Sequence, residues 1–169
     1  PFMLDTSYDM KGNAFMSSSS RDEASQESER IKGSFFTHYL VLGLRGAADV
    51  TQDRRITLNE AYQFAYRETL MKTEKTIGGV QHPNYNIQMV GTGDVVLTDV
   101  ASVKSRLSLD EMLEARFHIF GKNNVSFGEI DKDYGRTVDL ALEEGDYTVV
   151  RNDGAGYYEA KIRVRDWRE

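Results

Sequence analysis

The sequence predicts an α/β part followed by a small all-β sandwich, and three features predict it. Up to about Lys104, strand-like runs alternate with two stretches that repeat apolar residues at helical spacing. Beyond that point only short alternating segments remain. Gly121-Lys-Asn-Asn124, Asp133-Tyr-Gly135, Glu143-Glu-Gly145 and Asn152-Asp-Gly154 separate those segments, and all four are turn chemistry. The expected division is therefore residues 1–102 and 103–169, the second a sandwich.

The elements follow in order. Lys11 to Ser17 is a short apolar run that ends in the serine block Ser17 to Ser20, as a strand entering a loop would. The loop itself is polar and acidic. Ser34 is placed to cap a helix whose face is Phe35, Phe36, Tyr39, Leu40, Leu42 and Leu44, and Arg45-Gly46 stops it. A second amphipathic helix is expected from Leu58 to about Thr76, built on Ala61, Tyr62, Phe64, Ala65 and Leu70. After Gly78-Gly79 and Pro83, Tyr85 to Val90 and Asp94 to Val100 read as the strands of a hairpin around Gly91-Thr-Gly93. In the second part, strands are expected at Arg116 to Phe120, Val125 to Ile130, Thr137 to Leu142, Tyr147 to Arg151 and Tyr157 to Val164.

Composition excludes several functions. The formal net charge is −6 with no clustered Lys/Arg face, so the chain lacks the electrostatic footprint of a nucleic-acid binder. Its apolar runs are too short to span a membrane. It has no cysteine, which removes disulfides, thiolate metal sites and a thiol nucleophile. Because it begins at Pro1 without a leader, we expect it to be a piece of a longer protein.

The stretch between the two helices has two readings. An EF-hand loop needs oxygen ligands at positions 1, 3, 5 and 9, a backbone carbonyl at 7, glycine at 6 and a bidentate Glu at 12. Asp49, Thr51, Asp53, Thr57, Arg55, Arg54 and Glu60 fall at those places, and all but Arg54 are calcium-ligand candidates. Arg54 stands where glycine belongs, and its positive φ would cost about 1 kcal/mol. The other reading is a capping box, in which Thr57 and Glu60 satisfy each other's backbone N–H at the start of a helix. We expect a loop that keeps its shape and its cap, with no cofactor beyond that calcium.

The runs SSSSRDEASQESERIKGSFFTHYL and DVTQDRRITLNEAYQFAYRETL, followed by QHPNYNIQMVGTGDVVLTD, resemble bacterial caspase-like cysteine peptidases, relatives of metacaspases. The resemblance covers residues 9–99. It implies the carboxyl-terminal, small-subunit part of a caspase-like sandwich, with the catalytic His and Cys on an upstream large-subunit part. It also implies a peptide or protein substrate cut after a basic residue, and members of that family are often exported. Asp22 occupies the place of the acid that receives the basic side chain; Glu23 and Glu27 match after a one-residue gap, and Ser18 and Ser19 open the loop. A carboxylate suits that role, since a bidentate Asp to arginine pair supplies charge and direction together. The tail, with Leu140-Ala-Leu-Glu-Glu-Gly-Asp-Tyr-Thr-Val149, resembles prealbumin-like or carboxypeptidase-regulatory-like sandwiches.

Two functions remain. One is the substrate-pocket half of a cysteine endopeptidase; the other is a non-catalytic scaffold or interaction module. The serines lack a Gly-x-Ser-x-Gly elbow. His38, His82 and His118 lie on different elements with no zinc or dyad spacing, and Trp167 reads as an end-strand anchor.

Overall fold

The computed structural model describes residues 11–20, 27–28, 33–74, 76, 78–91 and 93–166. Asp22, Glu23 and Trp167 lie outside them, and of Glu27 only its backbone is described.

Both helices form where local chemistry starts them. In α1 (Phe35–Leu42) the Ser34 hydroxyl accepts from the Thr37 N–H at 3.2 Å. In α2 (Leu58–Thr73) Thr57 and Glu60 complete the capping box. The first helix ends two residues before Leu44 and passes into a π-helical turn, Gly43–Ala47. That turn is pressed against the sandwich: Gly46 has φ 119°, and a Cβ there would lie 2.0 Å from the Asp139 carbonyl oxygen. Only glycine permits both.

Strands supply most of the rest. The first three are β1 (Lys11–Ser17), β2 (Glu27–Ser28) and β3 (Gly33–Ser34). Around α2 come β4 (Arg55–Thr57), β5 (Asn84–Val90) and β6 (Val96–Asp99). The last six are β7 (Arg106–Leu109), β8 (Ala115–Phe120), β9 (Ser126–Lys132), β10 (Val138–Ala141), β11 (Gly145–Asn152) and β12 (Tyr157–Val164).

The expected α/β class is overturned by this pairing. Every sheet is antiparallel, and among the described residues strand exceeds helix, 43% to 23%. The first part is not an α/β caspase-like piece, because an α/β sheet needs parallel strands joined by crossover helices. Four of the sheets have two strands, β1-β5, β4-β6, β2-β3 and β10-β7; the fifth runs β12-β11-β8-β9. The hairpin expected around Gly91-Thr-Gly93 is absent as well. Instead β5 pairs with β1, while β6 turns away to β4, held by the Leu58 N–H on the Val95 carbonyl and the Thr98 hydroxyl on the Leu44 carbonyl.

The sheets after residue 102 are sandwich-like, and β8, β9 and β10 alternate inward and outward residues as half-buried strands must. Phe117, Ile119, Ile130, Val138 and Leu140 point into a buried cluster that also takes Phe36, Tyr39, Leu42 and Phe64 from the helices. Leu42 enters it opposite Gly128, where a Cβ would sit 2.7 Å from the leucine side chain.

Candidate functional site

The loop from Asp49 to Glu60 is closed by its own carboxylates. Asp49 accepts from the backbone N–H of Asp53 (3.2 Å) and Arg54 (2.9 Å), and Asp53 accepts from Arg55 N–H at 2.8 Å. One Glu60 oxygen takes the Thr51 N–H and hydroxyl, at 3.3 and 3.1 Å; the other takes those of Thr57, at 3.0 and 2.9 Å. Burial raises the pKa of Asp49 against these hydrogen bonds. For Glu60 burial also opposes ionisation, but the donors from Thr57 and Thr51 outweigh it and its pKa falls.

Backbone strain marks the same loop. Gln52 and Arg54 have φ of 60° and 65°, so an arginine does occupy the left-handed place that glycine would favour. The Arg54 and Arg55 guanidinium groups turn to Asp139 (3.7 Å) and Asp99 (3.6 Å), tying the loop to β10 and β6. Asp49 and Glu60 thus use both carboxylate oxygens on protein donors, and Asp53 uses one. Among the described residues no three His, Asp or Glu side chains come together as a metal-holding group, and in this arrangement Glu60 serves as the cap of the second helix.

The second predicted location, the end of β1, is partly visible. Ser18 and Ser19 follow the strand, half-buried, with the Ser17 hydroxyl donating to the Ser19 carbonyl at 3.0 Å. Gln81, almost wholly buried, donates its side-chain N–H to the Ser18 carbonyl, and its own backbone N–H reaches the Thr73 hydroxyl at 2.9 Å. The strand end is thereby fixed to the α2–β5 connection. Sequence reasoning missed Gln81; its place before His82-Pro83 carried no signal beyond a turn.

A charged cluster between α2 and the four-stranded sheet was also missed. Glu129 on β9 meets Lys72 of α2 at 2.7 Å, His118 at 3.3 Å and Arg116 at 3.4 Å, and Arg116 meets Asp131 at 3.0 Å. Burial opposes the Glu129 charge, yet the hydrogen bonds and charges of His118 and Lys72 prevail and hold its pKa at about 2. Glu68 is the reverse case: burial pushes its pKa up, and Arg67, 3.1 Å away, together with the charge of Arg116, draws it only part of the way back. Tyr39 is raised by burial and by both glutamates. His38, half-buried with its ring 5.3 Å from that of Tyr39, is lowered by burial. The contact between Lys72 and Glu129 spans 57 residues and is invisible to local pattern.

No family model, no curated protein and no solved structure matches this chain.

Proposed function

We propose that this chain is the substrate-pocket part of a cysteine endopeptidase acting after basic residues, with the His and Cys supplied by another polypeptide segment. Kinship with the caspase-related peptidases rests on the residue pattern of 9–99 alone, and the α/β frame forms no part of the proposal. One observation supports it most. The β1–β5 ribbon has two strands only and leaves Phe15 and Val90 largely exposed, at 68% and 79%, and it runs directly into Ser18, Ser19 and the segment that holds Asp22. A two-stranded ribbon is marginal alone and gains from further strands or a covering layer. A covering segment would stand beside the strand end that Asp22 follows in sequence, and the reading requires a basic side chain to be received there.

A second reading, the non-catalytic interaction module, takes support from the same ribbon, since its exposed face calls for a partner but not for chemistry. The full-length gene product separates the two. Under the first reading it carries a His and a Cys upstream of Pro1 and cleaves arginyl and lysyl peptides. Asp22→Ala then lowers kcat/KM by about tenfold to a hundredfold, the scale of one lost charge-assisted pair, with the melting temperature unchanged. Undiminished turnover in that variant removes Asp22 from the pocket. A product without the His and Cys that cleaves nothing leaves the module.

A further inference from the structure

A cleft of about 990 Å³ opens between the start of β9, the β10–β11 turn and the π-helical turn after α1. Its size is that of a small-ligand site. Two of the side chains that line it are placed there by irregular backbone. Arg45 comes from the π-helical turn, a feature that gathers at functional sites. Phe127 is the extra residue of a β-bulge, since Ile119 pairs with Gly128 but Phe120 pairs with Ser126, and bulges re-aim side chains in the same way.

The two side chains meet. The Arg45 guanidinium lies over the Phe127 ring at 4.6 Å, and the Tyr147 ring stands at 89° to Phe127 with centroids 6.0 Å apart. Stacking fixes the plane of a guanidinium while leaving its in-plane N–H donors available. Among the described residues no carboxylate pairs with Arg45, although it is half-buried. The acids nearby are committed or solvated: Asp146 is bound by Arg163 at 2.5 and 2.9 Å, and Glu143 and Glu144 are exposed on the turn. Val125 and Leu142 add apolar lining.

We propose that this cleft binds a carboxylate carried beside an apolar group, as at the carboxyl terminus of a peptide that ends in an aromatic or aliphatic residue. The carboxylate pairs with the edge of Arg45, and the side chain lies against Phe127, Val125 and Leu142. This proposal is independent of the peptidase reading.

The test is a titration of the whole chain, followed by calorimetry and by NMR shifts, with N-acetyl-Ala-Ala-Phe as free acid and as carboxamide. The acid is expected to bind at least about tenfold more tightly, the value of one charge-assisted hydrogen bond, and to move the Tyr147 and Phe127 resonances. Arg45→Gln should abolish that difference while leaving the circular dichroism unchanged. Should that variant not fold, the acid and amide comparison on the wild type decides alone. Equal affinity for acid and amide, no binding at about 10 mM (a Kd weaker than any useful site), or a preference for N-acetyl-arginine amide would overturn the proposal. 3-Phenylpropionate tells the sources apart: binding as tight as the tripeptide's assigns a small free acid, and weaker binding a peptide terminus, both within the proposal.

Discussion

The β1–β5 ribbon and the β12-β11-β8-β9 sheet are both antiparallel, yet they differ in what they bury. In β8 and β9 every second residue is shielded, and Ile119 and Ile130 are wholly inaccessible. In β1 and β5 only Met16 and Met89 are even half-buried. Tyr85 anchors β5 to the helices through its ring contact with Tyr62, at 4.2 Å. Strand pairing is therefore not what separates them. The sheet is stabilised by the layers packed on it, while the ribbon holds its hydrogen bonds with most of its surface in water.

That difference sets the largest expected effect. Ile130→Ala should cost about 2–4 kcal/mol in urea unfolding, the range for an aliphatic core residue cut to alanine, whereas Ile87→Ala in the ribbon should cost under about 1 kcal/mol. Equal losses would mean that the ribbon is covered in solution and would break the comparison.

The next effect is electrostatic and belongs to the charged cluster between α2 and the same sheet. Glu129 has a depressed pKa, so its contribution is present above the ordinary carboxylate range and is lost as pH falls from about 4.5 towards about 2. Glu129→Gln should lower stability at pH 7 by on the order of 2 kcal/mol, and the gap to wild type should close by about pH 2. A gap that persists in acid would assign Glu129 a packing role instead. Lys72, His118, Arg116, Asp131, Glu68, Tyr39 and His38 are the charged or titratable groups around it.

Glu68 should act in the opposite direction. Its pKa is raised, so its ionisation opposes folding at neutral pH and that penalty disappears as pH falls through its folded value. Glu68→Gln should therefore raise stability by about 1 kcal/mol at pH 7 and by nothing in acid. A variant less stable than wild type at pH 7 would show that the Arg67 pair outweighs burial. The smallest effect is in the loop: Gln52→Gly relieves a left-handed residue and should gain about 0.5 kcal/mol in the same unfolding assay.

Much of the local structure was legible. The Ser34 cap, the Thr57–Glu60 capping box, both apolar helix faces and the left-handed residue at Arg54 were readable because each depends on neighbours within a few residues. The turn-bounded strands of the last third were readable for the same reason, apart from β7, which carries no pattern of its own. Of the loop's carboxylates, Glu60 was expected to cap the second helix, and it does. That the other Glu60 oxygen takes the Thr51 N–H and hydroxyl was not readable.

By itself the sequence determined where helices begin, which positions turn, and that no thiol chemistry can arise from this chain. Tertiary structure alone decided that β5 joins β1 and β6 joins β4, and hence that the first part is antiparallel rather than α/β. It alone placed Lys72 on Glu129, Gln81 on Ser18 and Arg45 over Phe127. The physical reason is range. Caps and periodicity are properties of a few consecutive residues, whereas the partner of an exposed, weakly patterned strand is chosen by packing between segments tens of residues apart, which no local window contains.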